Sequence, residues 1–477
     1  MTPPTPWSDP TPDEASPPTA APALLLPPPE PDAADDDPAL TGSPTPTLLL
    51  PPPEPEAADG EFAPPGPPAP DDESCTGGAG GKLRAEGEAE AVLAQGEAEA
   101  AAPQPSAAHR IQGLLLGLAA GDAAGWPAAR HRAARMPDWT RRLTRELETF
   151  AEQNATTTLP VPIALNQPPE PLRLGPSDDA EWAAFTAEAL LRAGDDTALG
   201  DLSRDRRVRA AIDLTWNALA GEIAAAADRA PEIESAVLPL RARISVRAGL
   251  GNLATGLRPP ATGHDNPHFF DDAACVRACV LAVAHPGDPE RAAGLAEFDA
   301  RYTQDGDGVL GARAMAAAVS LALAGAPTGT CVTAALTELP EGTEIGRNAH
   351  HAVDLARAAD GAFALVPLLE HQIVDHVYSY GVAAAETVPV ALALAVAAGG
   401  RIAEAVPAAA CLSRVADSAP ALTGALTGAL GGAGCVPAAW RDTCRTLSGC
   451  ALPRLTGTDL VELADLLEAA QPDRPGG

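Results

Sequence analysis

Lysine is almost absent from this 477-residue chain; Lys82 stands alone. Nucleic-acid binding needs clustered cations to neutralise phosphates, and a formal charge of −32 excludes that class of partner. The arginines form no patch either. Arg204, Arg206, Arg207 and Arg209 are diluted by Asp201 and Asp205, as on a solvated helix face. Aromatics make up 3% of the residues and period-two runs of β-branched residues are scarce, which argues against a sheet-built domain. Apolar stretches are broken by charge, Gly or Pro before they reach about 18 residues, so no membrane span is expected. The opening Met-Thr-Pro-Pro lacks a basic region followed by an apolar run, and a cytoplasmic location is expected. The eight cysteines form no CxxC, and no His stands at zinc-finger spacing from a Cys pair. Cys275 and Cys279, four apart on one helix face, read as small buried apolar residues in a reducing compartment. GxSxG, P-loop and HExxH motifs are missing. Asp305-Gly306-Asp307-Gly308 is not a calcium loop, because Val309 holds the fifth position and the downstream Glu is lacking.

What is present divides in two. Residues 1–106 are dominated by Pro, Ala, Asp and Glu, with roughly 20 acids against two bases, Lys82 and Arg84. Such a segment cannot bury enough apolar surface to offset the chain entropy lost on folding, so a disordered acidic tail is expected. Within it, Leu24-Leu25-Leu26-Pro27-Pro28-Pro29-Glu30-Pro31 recurs as Leu48-Leu49-Leu50-Pro51-Pro52-Pro53-Glu54-Pro55. Two apolar handles on stiff polyproline rods would suit a duplicated docking peptide for a protein partner; low-complexity drift is the equal alternative.

Residues 107–472 read as one all-α domain. Apolar residues recur at helical spacing over Ile111–Ala120, Ala180–Ala193, Val208–Ala226, Ala273–Ala284, Leu310–Ala324, Ala349–Ala359, Val388–Ala398, Ala403–Val415 and Leu422–Leu430. Val388–Ala398 is apolar on every face and is expected to be a central buried helix.

Few clusters carry chemistry. Ser177-Asp178-Asp179 leads into a helix, with Ser177 placed as N-cap and two acids in the first turn, where negative charge is favoured. Taken alone this is an ordinary helix start. Read functionally, it is half of an oxygen-only site for Mg²⁺, a hard cation.

Several segments together resemble the ADP-ribosylglycohydrolase family. Arg110 to Pro127, a helix running into Gly121-Asp122-Ala123-Ala124-Gly125-Trp126-Pro127, is similar to that family's opening signature. Ser177-Asp178-Asp179 resembles its metal motif. His285 to Ala293 and Asp305 to Val309 are similar to its middle segments. Asp417-Ser418, followed by Gly424 and Gly428, resembles the acidic start of its Gly/Ala-rich helix, and Pro437 to Trp440 its closure. The resemblance covers about residues 109 to 470, and the tail lies outside it.

The resemblance implies an orthogonal helical bundle with two Mg²⁺ ions that orient the ribose of an ADP-ribosyl group while its glycosidic bond is hydrolysed. Ser177, Asp178, Asp179, Asp417 and Ser418 would be metal ligands, with Asp179 and Asp417 also catalytic. The substrate would be an ADP-ribosylated protein or a small ADP-ribose-like ligand. Three positions depart from the family pattern: Ala129 and Val415 stand where acids are usual, and Ala180 replaces a threonine. Fewer carboxylates weaken one of the two metal positions, leaving one Mg²⁺. Asp271, Asp272 and Glu181 are the acids available to substitute. The competing reading is a catalytically impaired protein that binds an ADP-ribose-like ligand or acts as a scaffold through its tail. His264 and His268, with Phe269, Phe270, Tyr378 and Tyr380, read as turn or core residues before ligand contacts.

Overall fold

The computed structural model describes residues 106–134, 175–195, 197–229, 242–376 and 381–471, without side chains at 107–108, 127–134, 195, 197 and 226–229. The two LLLPPPEP copies, the rest of the expected tail before Ser106, Tyr378, Tyr380 and the side chain of Ala129 lie outside the described residues.

In chain order the helices are α1 (Ala107–Ala134), α2 (Asp178–Asp195), α3 (Arg204–Arg229), α4 (Ile244–Ala254), α5 (Ala261–His264), α6 (Ala273–Leu281), α7 (Pro289–Ala300) and α8 (Gly306–Leu323). They continue with α9 (Thr328–Thr337), α10 (Glu344–Ala358), α11 (Ala362–Gln372), α12 (Ala384–Ala397), α13 (Ile402–Cys411), α14 (Ala419–Gly431), α15 (Ala438–Cys444) and α16 (Leu460–Ala469). No strand occurs among the described residues, only isolated bridges pairing Asp271 with Ala383 and Thr446 with Asp459. The domain is all-α.

Helix α12 is the central one: Ala384 through Ala395 are all buried, as its all-round apolar sequence requires. Helix α8, 18 residues long, is apolar enough to cross a membrane by length and composition. However, 72% of it is buried inside the bundle, the setting of a core helix. The few aromatics are concentrated. Trp182 stacks on Trp216 at 6.1 Å and Trp216 on Tyr302 at 5.6 Å, tying α2, α3 and the turn after α7 together. The buried Arg277 guanidinium lies 4.9 Å over Trp216 and donates to Asp299 at 2.7 Å, so a charge in the core is both paired and stacked.

One contact sets the position of the site. Gly113, Gly117, Gly121 and Gly125 fall four apart on one face of α1 and run antiparallel to α14 and the turn before it. An added β-carbon would lie 2.2 Å from Gly428 O at Gly113 and 2.2 Å from Gly424 O at Gly117. At Gly121 it would lie 1.9 Å from Pro420 O, and at Gly125 1.9 Å from Ala416 O. Only glycine permits such backbone approach, and the close contact maximises dispersion along the seam. The register sets Asp122, between Gly121 and Gly125, level with the start of α14, where Asp417 and Ser418 stand.

Candidate functional site

Asp122 joins α1 to the start of α2. Its Oδ2 accepts from Ser177 N at 2.7 Å and from Ala180 N at 3.1 Å. The sequence casts Ser177 as the N-cap; in the structure the third helical amide is taken by Asp122 from another helix. The Ser177 hydroxyl donates to Asp178 Oδ1 at 3.0 Å.

The two motif-bearing helix starts, Ser177-Asp178-Asp179 before α2 and Asp417-Ser418 before α14, face one cation. That cation is Arg243, one residue ahead of α4. Its guanidinium donates through Nη1 to Asp417 Oδ2 and through Nη2 to Ser418 Oγ. Nε donates to Asp272 Oδ1 at 3.3 Å, and Nη2 lies 3.7 Å from Asp179 Oδ1. The planar fork suits this work, because its five N–H donors reach several oxygens at fixed angles. Arg243 is 4% exposed and Asp272 fully buried, whereas Asp417 is 28% exposed and forms the open side of the cluster.

Electrostatics follow from crowding acids in a dry place. Burial raises Asp122 well above the usual carboxylate range, and neighbouring Asp178 adds to it against two backbone hydrogen bonds. Burial likewise raises Asp179, with Arg243 opposing. Asp272 is pushed up to about 7 by burial, again with Arg243 opposing. Burial works against the charge on Arg243, but Asp417, Asp272 and Asp179 outweigh it and hold its pKa well above normal. Asp179 Oδ2 and Asp272 Oδ2 are buried without a hydrogen-bond partner.

A pH dependence follows. Asp272 holds its proton to about pH 7 in the folded state and only to about pH 4 when unfolded. Its contribution to stability is therefore complete below about pH 4 and is lost as pH rises through about 7. Melting curves between pH 5 and 8 should show Asp272→Asn losing less stability with rising pH than the parent chain. The comparison with the variant is needed because burial lowers the basicity of His268 and His285, which act in the opposite direction. Parallel curves for the two proteins would show Asp272 ionised throughout.

The other acids are engaged elsewhere, Asp271 through Oδ1 only. Glu181 is fully buried and accepts from the amides of Cys450, Ala451 and Leu452 at 2.7, 2.7 and 2.8 Å. Asp271 accepts from Ser245 Oγ at 2.7 Å, Gln304 Nε2 at 2.8 Å and Ala273 N at 3.1 Å. His264 bonds Asp305 at 2.7 Å, and Asp305 accepts from Gly306 N at the start of α8. His268 is buried and stacks on Phe270 at 5.3 Å. Of the acids considered as substitutes, Asp272 alone reaches Arg243. Sequence reasoning missed Arg243, which lies in no motif, and left Asp122 without a role although it stands in the quoted Gly-Asp-Ala segment.

The resemblance implies magnesium between the two helix starts, and the donor set is poorly suited to a metal pair. Asp417 Oδ2 and Ser418 Oγ are bonded to Arg243, and Asp122 Oδ2 to two amides. Val415 is fully buried among apolar side chains and supplies no ligand. Among the described residues, no group of three or more His, Cys, Asp or Glu side chains is placed to hold a metal ion.

Comparison with known proteins adds the lineage. A family model described as ADP-ribosylglycohydrolase matches residues 103–476. A solved chain of an ADP-ribosylglycohydrolase-related protein complex is 20% identical, with 77% of this chain and 99% of that chain covered at a TM-score of 0.43. No curated protein matches the chain.

Proposed function

The chain belongs to the ADP-ribosylglycohydrolase family, and on that premise we propose that it hydrolyses the glycosidic bond of an ADP-ribosyl or related ribosyl group at the Asp179–Asp417 cluster. The observation that carries the reading is the meeting of two helix starts, those bearing Asp179 and Asp417, around the one buried guanidinium of Arg243. Glycosidic cleavage needs a proton donor for the leaving group and a carboxylate for water or for the oxocarbenium-like transition state. Asp179, whose pKa burial raises against the opposing Arg243 and whose Oδ2 has no hydrogen-bond partner, supplies the donor. Asp417, the more exposed acid, supplies the carboxylate, and Arg243 fixes its orientation. The substrate is an ADP-ribosylated protein or a small ADP-ribose conjugate.

Release of ADP-ribose from ADP-ribosylated protein by the full chain is the direct test. Asp179→Asn and Asp417→Asn should each lower turnover by about 10²- to 10⁴-fold, the usual worth of a positioned acid or base. A parent chain without turnover on any ADP-ribosyl conjugate, in EDTA or in Mg²⁺, would remove the hydrolytic reading. The hydrogen bonds that tie Asp417 and Ser418 to Arg243 favour a second reading in that event, a catalytically impaired protein that binds an ADP-ribose-like ligand. Calorimetry with ADP-ribose decides it, since absence of heat leaves no ligand to bind.

A further inference from the structure

We infer that the Arg243 guanidinium takes the place of a divalent cation, so that this carboxylate cluster holds no tightly bound Mg²⁺ or Mn²⁺ while Arg243 is present. Three independent groups lead to the same point. Asp417 Oδ2 and Ser418 Oγ come from the start of α14, Asp272 Oδ1 from the start of α6, and Asp179 Oδ1 from the start of α2. These are short oxygen-bearing side chains at helix N-termini, the donor type a hard cation takes. Each turns toward the guanidinium instead. An arginine in this position cannot be displaced by losing its proton, since a guanidinium stays charged under all conditions in which the protein is folded. A metal ion entering the cluster would have to replace at least two of its hydrogen bonds and sit against a fixed positive charge in a water-poor site, where repulsion is weakly screened.

The test is a metal titration of the full chain, stripped with EDTA and returned to metal-free buffer, with free Mn²⁺ followed by electron paramagnetic resonance. The parent chain should show no saturable site below a concentration on the order of 1 mM. Arg243→Ala and Arg243→Gln should each gain at least one site, with Mn²⁺ affinity about tenfold or more above the parent, since even outer-sphere partners change metal affinity by about 10- to 100-fold. Arg243→Lys, which keeps the charge, should remain like the parent. Tight Mn²⁺ binding by the parent chain overturns the inference and needs no variant, so it decides the matter even where Arg243→Ala fails to fold. Failure of a folded Arg243→Gln to gain a site overturns it as well. The outcome is separable from that of the hydrolysis reading: a parent chain with neither metal nor turnover sinks hydrolysis alone, and one with tightly bound metal and turnover sinks this inference alone.

Discussion

Gly121→Val should be among the most damaging single substitutions in the domain, destabilising it by about 3 kcal/mol or more, the upper end of the overpacking range. The first carbon of any side chain at this position would lie 1.9 Å from Pro420 O and 2.8 Å from Ala421 Cα. These are backbone atoms of α14, so no rotamer change relieves the clash. Relief requires α1 and α14 to separate along a seam where Gly113, Gly117 and Gly125 make equivalent contacts. Separation also moves Asp122 from the amides of Ser177 and Ala180, which costs the two hydrogen bonds that hold the start of α2. Gly221→Ala is the matched control. Gly221 is helical with nothing within 4 Å of an added β-carbon. Relative to glycine, alanine there should stabilise by roughly 0.5–1 kcal/mol. Chemical denaturation of both variants settles the point. A Gly121→Val protein as stable as the parent chain would mean that the helices do not touch as described.

The glycine seam also shows what was legible in the sequence. Four glycines at four-residue intervals in α1, and Gly424 and Gly428 in α14, are visible in the bare text, and the motif resemblance rests on the same two helices. Helices with a continuous apolar face, such as α12, were readable because burial on all sides leaves a compositional trace. Ends were less so. Helix α8 begins at Gly306, ahead of the apolar run from Leu310, because Asp305 accepts from the Gly306 amide. Helix α10 begins at Glu344 because the Thr343 hydroxyl accepts from Gly346 N. Helix α7 carries Glu290, Arg291, Glu297 and Asp299 among its twelve residues and α11 leaves Phe363 and Leu368 exposed, so no clean apolar face gives either of them away. For the site, the two acidic helix starts were legible as motifs. Their shared cation was not: Arg243 meets Asp417 and Ser418 across 174 and 175 residues, and no local pattern encodes a contact at that range.

Glu181→Ala should rival the glycine substitution, by a different route. Glu181 sits one turn into α2, next to the site motif, and reads in the sequence as a spare acid. In the structure both its carboxylate oxygens are consumed. Oε1 accepts from Cys450 N at 2.7 Å and Ser448 Oγ at 3.4 Å, while Oε2 accepts from Ala451 N at 2.7 Å and Leu452 N at 2.8 Å. Three successive backbone amides of the segment between α15 and α16 therefore end on one side chain. Truncation to alanine leaves the buried amides of Ala451 and Leu452 and the half-buried amide of Cys450 without an acceptor, at about 1–3 kcal/mol for each buried one, and adds the volume of the missing carboxylate. The expected loss is several kcal/mol, with amide exchange rising first across residues 450–452. Glu181→Gln should recover only part of it, because an amide group offers one acceptor oxygen and turns N–H donors toward backbone N–H groups. Glu188→Ala, two turns further along α2, is the contrast. Glu188 pairs with Arg454 at the exposed surface, where an ion pair is worth about 0–1 kcal/mol, so this variant should melt close to the parent chain. Equal melting of Glu181→Ala and Glu188→Ala would show that the 450–452 segment is anchored by something other than the carboxylate beneath it.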